Sequence, residues 1–129
     1  MQKETIKSFC DLTAWQEGHV LVVSVYKITS SFPKEEQFGI TNQLRRAAVS
    51  ITSNIAEGFG RGTTKDRVHF YRIATGSLNE VQNQLLISRD IGYLHIEKWN
   101  ELEKQVIIVN KILNGLIRKS NSYLVSHIS

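Results

Sequence analysis

Residues Gln43 to Gly58 read Gln-Leu-Arg-Arg-Ala-Ala-Val-Ser-Ile-Thr-Ser-Asn-Ile-Ala-Glu-Gly. With Ile40, the positions Leu44, Ala47, Ala48, Ile51 and Ile55 recur at three and four residues, the signature of one face of an α-helix. The same stretch carries Ala47, Ala48, Ser50, Ser53, Ala56 and Gly58, more small side chains than a surface helix requires. Small residues let a second helix approach closely, so the segment belongs in a tight helical assembly. Arg45 and Arg46 add a charged edge, and no catalytic signature accompanies them.

Working outward, the 129 residues form a single domain over 1–129, and a hydrophobic content of 41% is enough for one core. A charged fraction of 22% is that of an ordinary globular chain. One cysteine, Cys10, offers neither an internal disulfide nor a metal cluster, and fits a reducing cytoplasm. Glu4 and Asp11 flank a short apolar patch, which is not the pattern of a signal peptide. No run approaches the ~18 apolar residues of a membrane span.

Punctuation divides the chain into four helices. The first is predicted from Asp11 or Thr13 to Phe32, stopped by Pro33, with Leu12, Trp15, His19, Val22 and Tyr26 as its main stripe and Leu21, Val25 and Ile28 beside it. Pro33 is predicted to open the second helix at its first position, with Glu35 and Glu36 at the positive end of the dipole. Gly58-Phe59-Gly60-Arg61-Gly62 ends that helix, and Thr63 or Thr64 caps the third. The third shows Phe70, Ile73, Ala74, Leu78, Val81, Leu85 and Ile91; Gly76 in its middle implies a close neighbour. Gly92 ends it. The fourth starts near Ile96, with Trp99, Leu102, Val106, Val109, Leu113 and Leu116 on one face, Ile108 and Ile112 beside them, and a frayed tail at 121–129 after an arm at 1–10. Short connections make neighbours antiparallel, so the expected fold is an all-α, up-down-up-down four-helix bundle.

The net charge of +4 is unevenly spread. Residues 42–79 hold six cations against two carboxylates, residues 104–129 hold four cations and no acid, and residues 80–103 are net negative. Such segregation predicts a basic face for an anionic partner, against the competing reading of ordinary solvated surface.

Leu12 with Trp15, Phe32-Pro33 with Glu35, Glu36, Phe38 and Gly39, the Gln43–Gly58 block with Arg61, then Phe70, Ala74, Gly76-Ser77, Glu80 and Gly92-Tyr93 resemble one known family. It is the family of four-helix bundle proteins encoded in intervening sequences of large-subunit ribosomal RNA genes, similar in turn to the accessory variability proteins of diversity-generating retroelements. Gly18-His19 stands where members more often carry Ala-His, and Ile40 replaces a usual leucine. The resemblance implies a homopentamer around a central channel and no established enzymatic activity. By analogy with the retroelement relatives it also implies nucleic-acid binding and association with a reverse transcriptase.

The candidate nucleic-acid-binding residues are Arg45, Arg46, Arg61, Lys65, Arg67 and Arg72, which would hold RNA or DNA through its phosphates. The turn Gly58–Lys65 leads into a helix N-terminus that suits an anion, but it lacks a P-loop ending. Asn54, Glu57, Ser77 and Glu80 fall near the inward stripes, yet the chain has no Glu-x-x-His pair for a di-metal bundle, so they read as hydrogen-bonded packing, with Arg46 or Arg72 neutralising a carboxylate. His19 and His69 are isolated. No catalytic residue, metal or cofactor is expected. Two other readings stand beside the binding protein: a protein-interaction scaffold, and a metal-independent ribonuclease of the HEPN class using Arg89 and His95.

Overall fold

A computed structural model describes residues 5–128, with side chains through residue 122. Four α-helices follow one another: α1 (Thr13–Thr29), α2 (Ile40–Phe59), α3 (Thr64–Asp90) and α4 (Ile96–Ile128). Each packs on its chain neighbours, and α4 closes the ring against α1, so the bundle has four seams, with no close backbone approach across either diagonal among the described residues. Contacts across the seams fix the directions. Gly18 of α1 meets Thr52 and Ile55 of α2 while Arg45 meets Tyr26 and Thr29. Ser50 pairs with Ser77 while Gly58 meets Tyr71. Gln82 pairs with Glu103, and Gln105 reaches back to Glu17. All four seams are antiparallel, which is the up-down-up-down bundle.

The ends of the helices depart from the periodic reading in places. Of the two expected starts α1 takes Thr13, and Phe9–Asp11 form a separate 3-10 turn. The Asp11 carboxylate accepts from the Lys7 and Ser8 amides at 2.9 and 3.1 Å, and the Ser8 hydroxyl accepts from the Cys10 amide at 3.3 Å, which makes a capping box of Ser8 and Asp11. Those backbone donors hold the Asp11 carboxyl below its usual value. The first four residues of the predicted arm lie outside the described residues. At its other end α1 stops at Thr29 instead of Phe32. Thr29, Ser30 and Ser31 each donate a hydroxyl to a carbonyl three or four residues back, satisfying the last turn locally before Pro33 can interrupt it.

Pro33 does not open α2. It precedes a 3-10 turn, Lys34–Glu36, and the helix begins seven residues beyond it at Ile40. The intervening segment is tied to the opposite connection, because the Tyr93 hydroxyl donates to Glu36 at 2.9 Å and the Tyr93 ring lies 5.6 Å from Phe32. That tertiary bond competes with continuing a helix through Phe38 and Gly39. The α3 cap is Thr63, whose hydroxyl accepts from the Asp66 amide. Gly92 adopts φ of +88°, a conformation that favours glycine, and lets the Tyr93 and Leu94 amides return to the Ser88 carbonyl. The backbone of α4 stays helical through Ile128, past the residues expected to fray; Ser129 lies outside the described residues.

The core centres on Leu21, Val25, Leu44, Ile51, Ile55, Leu78, Val81, Leu85, Val109 and Leu113. Two stripes are rotated from their expected azimuth. On α1 the inward line is Ala14, Gly18, Leu21 and Val25. Trp15 and Val22 are only half-buried and Tyr26 is exposed, because Trp15 stacks on His19 at 4.8 Å along the flank. Aromatic rings with polar edges sit well at such a border. On α3 the inward line is Tyr71, Ala74, Leu78, Val81 and Leu85, continued through Ser77 and Ser88; Ile73 and Ile91 face solvent and Phe70 is half-buried. On α4, Ile108 is likewise exposed, and Ile117 continues the buried line.

Ala47, Ala48 and Gly58 of α2 are buried inside the protomer, as is Gly18 of α1, whereas Ser53 stays exposed. A Cβ on Gly58 would lie 2.8 Å from the Tyr71 ring, and one on Gly18 would lie 3.1 Å from Thr52. Gly76, by contrast, has no neighbour within 4 Å and marks no close approach. No helix among the described residues is long and apolar enough to cross a membrane.

Candidate nucleic-acid interface

The six candidate cations fall into two groups. Arg45 and Arg46 stand in the second turn of α2, beside the C-terminal end of α1. Arg61, Lys65 and Arg67 surround the α2–α3 turn, and Arg72 follows on α3. The fifteen residues from Arg46 to Arg61 put about 22 Å of helical rise between the groups.

Within each group the cations have different tasks. Arg45 is half-buried and structural: Nε donates to Thr29 at 2.9 Å, and the guanidinium lies 4.7 Å from the Tyr26 ring centre. It covers the carbonyl end of α1, where positive charge is favourable. Arg61 pairs with Glu57 at 2.6 Å and stacks over Phe70 at 4.5 Å. Both partners are largely exposed, so the pair contributes about 0–1 kcal/mol. Arg67 spends only Nε–H, donated to the Arg61 carbonyl at 2.8 Å, which pins the turn and leaves both Nη nitrogens without a hydrogen-bond partner among the described residues. Arg46, Lys65 and Arg72 are exposed, and none is in an ion pair among the described residues. The carboxylate pairing expected of Arg46 or Arg72 is therefore not made among the described residues.

The polar residues near the core are packing elements. Asn54 donates to the Ser50 carbonyl and hydroxyl, Ser50 pairs with Ser77, and Glu57 and Glu80 face outward. Among the described residues no three His, Cys, Asp or Glu side chains gather as metal ligands. The Arg89 guanidinium is engaged by Asp90 at 2.9 Å and by the Trp99 ring at 4.4 Å. His95 is exposed just before α4 and has no bond to Arg89.

The fold adds a cation that sequence reasoning did not select. Lys119, from the acid-free stretch of α4, lines the same groove as Arg67 at the α2–α3 turn end of the bundle. The signal was the excess charge of residues 104–129. Which side of α4 carries it depends on how the helix is rotated against α3, and charge counting does not give that.

A basic all-α bundle of four antiparallel helices, with no clustered catalytic or metal-ligating groups among the described residues, defines the class. The model of the 23S rRNA-intervening sequence protein family matches residues 10–115, and the chain belongs to that family. Among solved structures it is similar to a protein of unknown function from the S23 ribosomal protein family of Bacteroides thetaiotaomicron, at 21% identity and a TM-score of 0.73. That likeness covers 81% of this chain and 98% of the other, and at such identity it speaks to the fold alone. No curated protein matches the chain.

Proposed function

We propose that the chain is a non-catalytic accessory protein that assembles with copies of itself and holds an RNA or DNA backbone on its basic surface. The observation that carries this reading is the run of Arg61, Lys65, Arg67 and Arg72 in and just after the α2–α3 turn, with Lys119 of α4 lining one groove with Arg67 there, against Glu57, which pairs with Arg61, and Asp66. Cations such as Lys65 and Arg72, in no ion pair among the described residues, attract phosphates and release counterions on binding. Few aromatic rings stand among them, so the contact is to backbone rather than to bases.

Self-assembly is supported by apolar surface left uncovered on the flanks: Val20, Val23 and Tyr26 on α1 and Ile107 and Ile108 on α4 are each at least 39% exposed. Five copies, and association with a reverse transcriptase, rest on the family resemblance. A ring would multiply the basic end by symmetry. Fluorescence anisotropy with labelled single-stranded RNA and duplex DNA at low salt, alongside multi-angle light scattering, tests the reading. Binding by an oligomer supports it; a monomer that binds neither polymer removes it.

A scaffold role is favoured by one separate observation. Phe38 is 87% exposed, and Ile91 and Ile96 also face solvent in the connections at the other end. A protein partner captured there, with no salt-sensitive binding to nucleic acid, would make this the better account.

A further inference from the structure

The end of the bundle that carries the α2–α3 turn also holds a groove of about 450 Å³, walled by α3, Ile6 and Leu12 ahead of α1, the end of α2 and the late turns of α4. Its size falls in the ordinary range for small-molecule sites. Leu12, Phe59 and Leu116 supply an apolar lining, Arg67 and Lys119 bring positive charge, and no carboxylate among the described residues lines it. Tyr71 also lines the groove, its ring packed to 3% exposure, and its hydroxyl makes no hydrogen bond among the described residues, which leaves a donor open to a ligand or to water. Burial also pushes this phenol above its usual value, with Arg67 opposing, so it stays a protonated donor.

We infer that this groove binds a small amphipathic oxyanion, an apolar body carrying a carboxylate or phosphate. The head meets Arg67, Lys119 and the Tyr71 hydroxyl, and the body displaces water from Leu12, Phe59 and Leu116. Arg67 is prepared for this task, because its Nε–H is tied to the Arg61 carbonyl and its two Nη nitrogens remain to grip an oxyanion. A bare anion would leave the apolar lining wet. A neutral apolar molecule would leave two cations and a donor unused.

The site shares Arg67 and Lys119 with the nucleic-acid reading and is separated from it by Tyr71 and the apolar lining, which a phosphate backbone does not need. Isothermal titration of the full chain with decanoate below its micellar concentration tests it, with decanol and inorganic phosphate as the partial ligands. Decanoate should bind at one site per chain and more tightly than either. Tyr71→Phe and Lys119→Ala should each weaken it about tenfold, the effect of losing a hydrogen bond to a charged group, while Lys98→Ala, in the distant α1–α4 groove, should leave it unchanged. Decanol binding as tightly as decanoate, phosphate binding as tightly, or full affinity in both groove variants with native circular dichroism would each overturn the proposal.

Discussion

The hydroxyls of Ser50 and Ser77 stand 2.8 Å apart across the seam between α2 and α3, on the two helices that make the most extensive contact in the bundle. Ser77 is buried, and Asn54 completes the group by donating to the Ser50 hydroxyl at 3.0 Å. A polar pair in a small-residue seam fixes register where apolar contacts alone would tolerate sliding. Ser77→Val should therefore destabilise the fold by about 1–3 kcal/mol, by leaving the Ser50–Asn54 pair partly unmet. Urea unfolding measures this, and Ser50→Ala/Ser77→Val should cost less than the sum of the two single changes.

Two glycines predict opposite outcomes for the same substitution. Gly58→Ala forces a methyl against the Tyr71 ring and the Arg67 carbonyl, and should lower stability by roughly 1–3 kcal/mol. Gly76→Ala meets open space on an exposed helical face and should raise stability by about 0.5–1 kcal/mol. Thermal melts of the two variants decide it, and a destabilised Gly76→Ala would mean that the face is covered in the assembled protein.

The bond from Tyr93 to Glu36 raises the Tyr93 phenol above the ordinary value of 10.0, chiefly by hydrogen bonding and secondarily by burial. A group raised on folding contributes stability that is present below its unfolded value and lost as pH rises through its folded one. The tie between the two connections should thus hold in full below pH 10, weaken above it and fail as pH passes the raised value of the folded phenol. Ultraviolet titration should show late-ionising phenols, one of which disappears in Tyr93→Phe.

Arg45 and Arg72 separate structure from binding. Arg45→Ala removes the Thr29 bond and the Tyr26 contact, so it should reduce stability by about 1–2 kcal/mol with little change in RNA affinity. Arg72→Ala should leave the melting temperature alone and weaken RNA binding. The reverse pattern would move the interface to the α1 end of α2.

The helices were legible in the sequence because apolar spacing, the glycines after Glu57 and the Thr63 cap all act locally. The start of α2 was not, because the Glu36–Tyr93 bond joins residues 57 positions apart. The faces of α1 and α3 were misread by weighting large side chains. Gly18, which faces inward, carries no hydrophobic signal, whereas Tyr26, which faces outward, does. The basic candidates were identifiable as residue types. Their division into a structural arginine, a turn-pinning arginine and exposed cations needed the carbonyls of Tyr26 and Arg61, which no sequence pattern displays.

The most direct measurement is the salt dependence of single-stranded RNA binding, wild type against Lys65→Ala/Arg72→Ala. Both residues are exposed and outside every ion pair among the described residues, so the double variant should fold normally. If these cations neutralise phosphates, the slope of log affinity against log salt should become shallower by about 0.7 for each one lost, close to 1.4 in total per engaged protomer. An unchanged slope, or no binding by the wild type even at low salt, would contradict the account.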